Sequence, residues 1–314
     1  MDTVHQPVML EEVIGGLHIK SHGIYVDATI GAGGHAEAIL QQLGSRGILI
    51  GIDWDGDALG FARTRLARYS GRVKICRENF ANLEAILGGV GVEQVDGVLF
   101  DLGISSLQLA RAKRGFGFQL DGPLDMRMDS RRKLNAAMLV NRTPREELAR
   151  LLRRYGEEKK AKQIARAIEL RRRRKEIRST KELADLVAGV VGKSPRSRIH
   201  PATRAFMALR IAVNDELANL ESGLESAVRL LGPGGRLCAI SFHSLEDRIV
   251  KRAFARFARG CVCPPELPVC ACERKPLLTI VTRKPARPGA DEVAANPRCR
   301  SAKMRIAERT EEAF

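Results

Sequence analysis

Val26-Asp27-Ala28-Thr29-Ile30-Gly31-Ala32-Gly33-Gly34-His35 is the stretch on which the fold turns. Its first residues belong to an apolar run, Ile24 to Ala28, that reads as a buried strand, and it opens into a segment of helical composition, Ala36 to Leu43. Glycines at a strand-to-helix turn let the backbone approach a ligand where a side chain would clash. The spacing Gly31-x-Gly33-x-x-Ala36 also matches the dinucleotide-binding fingerprint, so the loop alone leaves the cofactor open between NAD and another adenosine compound.

Outward from the loop the alternation continues. Ile48 to Asp53, Val73 to Cys76 and Val95 to Asp101 read as further strands, with helical stretches Ala58 to Tyr69 and Asn82 to Leu87 between them. Strands alternating with helices predict an α/β fold, a doubly wound parallel sheet with right-handed crossovers. Asp53 ends the second strand, where an acidic residue grips ribose hydroxyls in such folds. That role suits any adenosine cofactor. Asp27 favours S-adenosyl-L-methionine, because a carboxylate before the glycines repels a pyrophosphate but attracts a sulfonium and an ammonium; its structural alternative is a turn former or helix cap. Asp101 ends the fourth strand, and ligands of doubly wound sheets bind outside those carboxyl ends.

After Gly103 the pattern changes to a Gly- and Arg-rich loop followed by helices. Thr143-Pro144-Arg145-Glu146 and Ser179-Thr180-Lys181-Glu182 both fit a capping box, and Ala161, Ile164, Ala165 and Ile168 make one apolar stripe at helical spacing. The sheet is expected to resume after this block, with a long amphipathic helix through Ala202, Phe206, Leu209, Val213, Leu217 and Leu220, a turn at Gly232-Pro233-Gly234-Gly235, and strands at Arg236 to Phe242, Leu277 to Thr282 and Met304 to Ala307. The expected organisation is one α/β domain over residues 1–107 and 201–314, interrupted by a small inserted basic all-helical domain over 108–200 that serves as the nucleic-acid-recognising part.

The chain has 314 residues, 44% of them apolar, enough for a sizeable core. No apolar run approaches the roughly 18 residues that would span a bilayer, and the first residues do not read as an export signal, so a cytoplasmic protein is expected. The formal net charge is +16. Residues 108–200 hold 26 Lys and Arg against 11 Asp and Glu, so nearly all the excess lies in the helical block. Such a block points to a polyanionic partner, and Arg171-Arg172-Arg173-Arg174-Lys175 is too long a basic run to face one side of a helix, so part of it should reach phosphate. Aromatic residues are only 4%, which argues against reading a strand by rows of stacked rings.

Eight blocks spread along the chain carry a resemblance: His5 to Leu10, Asp27 to His35, Phe100 to Ser106, Gly115 to Phe118, Pro123 to Met128, His200 to Arg204, Ser241 to Arg248 and Asn296 to Arg298. Together they resemble the bacterial 16S rRNA cytosine-N4 methyltransferase family, RsmH, also called MraW. The resemblance implies a class I methyltransferase (Rossmann-like) fold with an inserted helical domain. The implied activity is methylation of N4 of a cytidine in the decoding centre of 16S rRNA, position 1402 in standard rRNA numbering, with the small ribosomal subunit as partner; a homodimer is left open. It further implies that Gly33, Gly34 and His35 contact S-adenosyl-L-methionine, that Asp53 holds its ribose, and that Phe80, Asp101 and Gln108 complete the pocket. Read without the family, Phe80 is a core aromatic and Gln108 a polar loop residue.

The catalytic group is unassigned. Many DNA amino-methyltransferases end the fourth strand with a proline-rich acidic or amide motif and an aromatic, whereas Asp101-Leu102-Gly103-Ile104 has neither proline nor aromatic. Ser241 and His243 are candidates for holding the amine, with a structural role as the alternative for the histidine. A ring-carbon methyltransferase would need a thiolate nucleophile, and Cys238 lies in an expected buried strand where thiols are inert. Cys261-x-Cys263 and Cys270-x-Cys272 bring four thiols close in sequence, but structural zinc more often spaces paired cysteines by two residues, and no metal is expected.

Overall fold

A computed structural model describes residues 7–192, 200–261, 263, 272 and 275–311, which form two compact units, residues 1–103 with 217–314 and residues 104–216. The first unit is built on seven strands: β1 (Ile24–Asp27), β2 (Ile48–Asp53), β3 (Val73–Arg77), β4 (Val95–Asp101), β5 (Leu231–Ser241), β6 (Leu278–Ile280) and β7 (Lys303–Arg309). Their order is β3-β2-β1-β4-β5-β7-β6. The first five run parallel, and β7 is antiparallel to both β5 and β6.

The sheet is buried on both faces, which is why its strands read as nearly continuous apolar runs instead of alternating. Val26, Ile50, Ile52, Val98, Phe100, Leu237 and Ala239 pack into one cluster with Leu220, Leu224 and Ala227 of the helix Glu216–Leu230 and Val250 and Phe254 of the helix Ser244–Ala258. Their strand neighbours Tyr25, Leu49, Leu99, Cys238 and Ile240 point the other way, into a cluster with Val13, Ile39, Leu40, Leu59 and Ala62 from the helices Leu10–Leu17, Gly34–Gln42 and Gly56–Arg65. The expected turn at Gly232 to Gly235 lies inside β5: Val95 pairs with Leu231 and Gly97 with Arg236, so the four residues bulge out of the ladder without ending the strand.

The second unit, Ile104–Glu216, is helical, with Ser106–Ala110, Ala136–Arg142, Arg145–Gly156, Ala161–Arg172, Thr180–Val191 and Thr203–Asn214. Ala161, Ile164, Ala165 and Ile168 are all buried, as their spacing requires. Ser179 and Glu182 form the capping box. Thr143 and Glu146 do not: Thr143 terminates the helix Ala136–Arg142, and Pro144, which has no side-chain acceptor, begins the next one.

The long amphipathic helix expected from Ala202 to Leu220 is two helices, broken at Asp215, whose φ of 54° is left-handed. Asp is one of the few residues that tolerates this conformation. Asn214, fully buried just before the break, accepts from the Met128 amide at 2.8 Å and donates to the Met126 carbonyl at 2.8 Å, tying the preceding loop to the helix end. The helix Thr203–Asn214 lies against Arg145–Gly156 so closely that a Cβ on Gly156 would come within 2.6 Å of the Arg204 carbonyl. The compact helical unit therefore extends to residue 216, where the sequence suggested a return to the sheet at 201.

Candidate cofactor site at the strand ends

In the strand order the sequence of strands reverses between β1 and β4, and in open α/β sheets the ligand crevice lies outside the carboxyl ends at such a switch point. Asp27 and Asp101 are the last residues of those two strands. The loop between β1 and the next helix folds over them. Its Gly33 amide donates to the Ile30 carbonyl at 2.8 Å, and Gly31 and Gly33 have φ of 51° and 83°, a region where a Cβ is strained. Gly34 is needed for a different reason, since a Cβ there would sit 2.5 Å from Pro7 Cγ.

Three carboxylates meet this loop. Asp53 Oδ2 accepts from the Gly31 amide at 3.0 Å and Oδ1 from the Asp55 amide at 2.9 Å, so the side chain at the end of β2 holds the glycine turn in place. Loss of water around it pushes the Asp53 carboxyl up to about 6. Asp27 Oδ1 accepts from the Thr29 amide at 3.2 Å, while Oδ2 is buried with no hydrogen bond among the described residues. Burial pushes Asp27 up to about 7. Asp101 repeats the pattern: Oδ1 is buried without a hydrogen-bond partner among the described residues, and burial, reinforced by the Glu246 carboxylate, raises it to about 7.

His35 joins the two. Its Nε2 lies 2.9 Å from the Val8 carbonyl, which can only accept, so Nε2 carries the proton and Nδ1 is left as an acceptor. Burial lowers the imidazole pKa, and the neutral ring turns Nδ1 toward Asp101 Oδ2 at 3.6 Å, too far for a hydrogen bond. The ring is thus held by its hydrogen bond to the N-terminal segment, with the β4 carboxylate nearby but not bonded to it.

The structure brings Gly33, Gly34, His35, Asp53 and Asp101 to one end of the sheet. Phe80 begins the short 3-10 turn Phe80–Asn82 after β3 and meets Phe100 edge-on at 5.4 Å, partly buried against the core. Gln108 lies in the helical unit, where it closes a capping box with Ser105: its side-chain oxygen accepts from the Ser105 amide at 3.0 Å and its own amide donates to Ser105 Oγ at 3.2 Å. Ser105-x-x-Gln108 was readable as that box from its spacing.

The candidate amine-holding residues both have structural partners. Ser241 is buried and donates to the Lys303 carbonyl at 3.3 Å. His243 caps the helix Ser244–Ala258, with Nδ1 accepting from the Glu246 amide at 3.4 Å and Nε2 lying 3.1 Å from Glu246 Oε1 outside hydrogen-bonding geometry. Glu246 Oε2 returns the contact to the Phe242 and His243 amides at 2.8 and 3.2 Å. Glu246 itself, buried and acting electrostatically on Asp101, was not singled out from the sequence; its signals were its place in the block Ser241 to Arg248 and its capping-box spacing from His243.

A dinucleotide-binding sheet of the 3-2-1-4-5-6 order has no reversed strand between its fifth and sixth, whereas here β7 is inserted there antiparallel. With two carboxylates at the switch point, each carrying a buried oxygen that has no hydrogen bond among the described residues and that would repel a pyrophosphate, fold and site define a class I methyltransferase. The chain matches the family model described as the MraW methylase family over residues 2–310, and it belongs to that family. It is 50% identical over 309 residues to the ribosomal RNA small subunit methyltransferase H of Geobacter sp. (strain M21), covering 98% of this chain and 99% of that one. To the enzyme of the same name from Thermomicrobium roseum it is 51% identical, covering 98% and 94%. Among solved structures a putative rRNA-methylase from Clostridium thermocellum is a distant likeness, with a TM-score of 0.45 and 12% identity over 98% of this chain and 100% of that one. Among the described residues no helix is long and apolar enough to cross a membrane.

Proposed function

We propose that this protein transfers a methyl group from S-adenosyl-L-methionine to N4 of a cytidine in the decoding centre of 16S rRNA, working in the cytoplasm on RNA of the small ribosomal subunit. The observation that carries the cofactor half is the pair of buried carboxylate oxygens at the ends of adjacent parallel strands, Asp27 Oδ2 and Asp101 Oδ1, which have no hydrogen bond among the described residues. Buried unpaired acceptors are costly, and a cationic ligand relieves that cost. When bound, the cofactor supplies an activated methyl group on a sulfonium. In this reading the Gly31–Gly34 turn admits the ligand backbone-close, Asp53 accepts from the ribose hydroxyls, and Phe80 and Asp101 line the adenine and methionine ends. Gln108, its amide oxygen committed to the cap, is placed in the pocket by the family resemblance alone.

Amino-group methylation is favoured over ring-carbon methylation by the thiols. Attack on a cytosine ring carbon needs a thiolate, and Cys238, in the middle of β5, is fully buried and pushed up to about 12. An exocyclic amine needs no covalent intermediate, only positioning and an acceptor for the departing proton. The N4 assignment rests on the family resemblance, and the RNA substrate on that resemblance and on the names of the relatives. Incubation with small-subunit rRNA and with assembled subunits, followed by nucleoside analysis, should yield N4-methylcytidine. Product consisting only of 5-methylcytidine or a methylated adenosine would reject the reading.

The two raised carboxyls also set a pH dependence. Asp27 and Asp101 at about 7 are largely protonated at pH 6 and ionised at pH 8, so attraction for a sulfonium grows as pH rises through 7 and levels off above it. If only the ionised form of one such group binds well, the affinity gain over that interval is about tenfold. Calorimetry at pH 6 and pH 8 should show this rise for S-adenosylmethionine and a smaller one for S-adenosylhomocysteine, which lacks the sulfonium charge. Equal rises for the two ligands would remove the carboxylates from sulfonium recognition.

A further inference from the structure

Cys261, Cys263 and Cys272 take no part in the site at the strand ends. They lie in the connection between the helix Ser244–Ala258 and β6, whose base is closed by the Leu277 amide donating to the Phe257 carbonyl at 2.8 Å. The fold gathers their Sγ atoms so that all three lie within 4.8 Å of one another, although Cys272 is far along the connection from the other two. Cys270, the fourth cysteine of the motif, lies outside the described residues.

Two distances carry the chemistry. Cys272 Sγ lies 3.8 Å from Cys261 Sγ. A disulfide requires about 2.05 Å. Four thiolates around a tetrahedral zinc with Zn–S bonds of about 2.3 Å stand about 3.8 Å apart along each edge of the tetrahedron. The Cys263 amide, moreover, donates to Cys261 Sγ at 3.4 Å, the kind of backbone contact that supports negative charge on a ligating sulfur. Arg259 Nε donates to the Cys261 carbonyl at 3.1 Å and steadies the same turn.

We propose that Cys261, Cys263 and Cys272 bind a zinc ion that clips the two ends of this connection together, a structural site separate from methyl transfer. The short Cys261-x-Cys263 spacing, which by sequence argued against a metal, is no obstacle once the third sulfur arrives from across the loop. Thiolate ligands select zinc over hard cations, and the three thiols give up their protons as the metal binds. No electron moves. The fourth corner of the tetrahedron stays available to a further thiolate or to water.

The test uses the full-length protein purified under reducing conditions, titrated with zinc against a chromophoric chelator and separately with cobalt(II). About one equivalent of zinc per chain should bind, and the cobalt form should show the strong visible bands of a tetrahedral thiolate site. Cys261→Ser and Cys272→Ser should each weaken zinc binding by about a hundredfold or more, since even an outer-shell change costs about 10- to 100-fold. Cys76→Ser, which removes a thiol at β3 away from the cluster, should bind zinc like the parent. Zinc should raise the melting temperature of the parent and of Cys76→Ser but not of Cys272→Ser. Absence of the cobalt thiolate bands in the reduced parent would overturn the proposal, as would undiminished zinc binding by both cluster variants or cluster thiols found oxidised after anaerobic purification.

Discussion

Asp53→Ala is expected to weaken S-adenosylmethionine binding about a hundredfold while the protein stays folded. The carboxylate does two things that alanine cannot. It accepts from the Gly31 and Asp55 amides, holding the turn that shapes the pocket, and in the proposed reading its remaining lone pairs take the ribose hydroxyls. Charge-assisted hydrogen bonds contribute roughly 1.5–3 kcal/mol, and about 1.4 kcal/mol is tenfold in affinity, so losing the ribose contact and loosening the loop together reach about two orders of magnitude. Asp53→Asn keeps one oxygen for the loop and should fall between, about tenfold weaker than the parent. Calorimetric titration of both variants, with circular dichroism to establish folding, decides the matter. A folded Asp53→Ala that binds the cofactor normally would leave the ribose without its proposed grip.

That Asp53 could be picked out at all follows from how local the signal is. A strand buried on both faces reads as a nearly continuous apolar run, and the charged residue that follows the runs 48–52 and 97–100 marks the ends of β2 and β4 at Asp53 and Asp101 as read from sequence. The glycine turn is equally local, because positive φ at Gly31 and Gly33 is a demand on those residues alone. What sequence could not supply was the state of the carboxylates. The missing hydrogen bonds of Asp27 Oδ2 and Asp101 Oδ1, and the rise of both groups to about 7, depend on burial contributed by segments far away in the chain. His35 is a similar case: its position in the loop was legible, but its partners, Val8 and Asp101, were not.

Elsewhere a residue's composition fits one role while the structure gives it another. Apolar periodicity runs unbroken from Ala202 to Leu220, and nothing in that periodicity marks the left-handed Asp215, since the break is stabilised by Asn214 reaching back to Met126 and Met128. The helix before the break then turns its apolar face to its own unit, and the domain boundary moves with it. Thr143 has the right composition for a cap but is occupied in ending the previous helix. His243 was weighed as a chemical group, yet its spacing to Glu246 is that of a cap, a reading that competes with catalysis wherever a polar residue precedes a helix.

The basic run shows the same competition between structure and function, and it decides which residues a test of RNA binding should change. Arg172 Nη1 donates to the Val140 and Thr143 carbonyls at 2.7 and 2.8 Å, capping the end of the helix Ala136–Arg142, and Arg171 reaches the Lys175 carbonyl at 2.8 Å and Glu182. Replacing these two would loosen the helical unit and confuse stability with binding. Lys162, Arg166 and Arg173 are exposed instead, and at spacings of four and seven they lie along one stripe of the helix Ala161–Arg172 and its C-cap, away from the buried Ala161, Ile164, Ala165 and Ile168. Among the described residues only Arg173 of these three forms an ion pair, with Glu169 at 3.5 Å, a surface pair of little strength. If this stripe grips phosphate, the triple change to Gln should weaken binding to small-subunit rRNA about tenfold or more at moderate salt, and it should flatten the log–log salt dependence by about two, at roughly 0.7–0.9 per lost phosphate contact. S-adenosylmethionine affinity should not change, because these residues lie in the helical unit and none belongs to the set at the strand ends. The measurement is RNA binding at several salt concentrations for parent and variant. Parallel salt curves of equal affinity would show that the stripe is solvated surface, and the positive charge of residues 108–200 would then need another anionic partner.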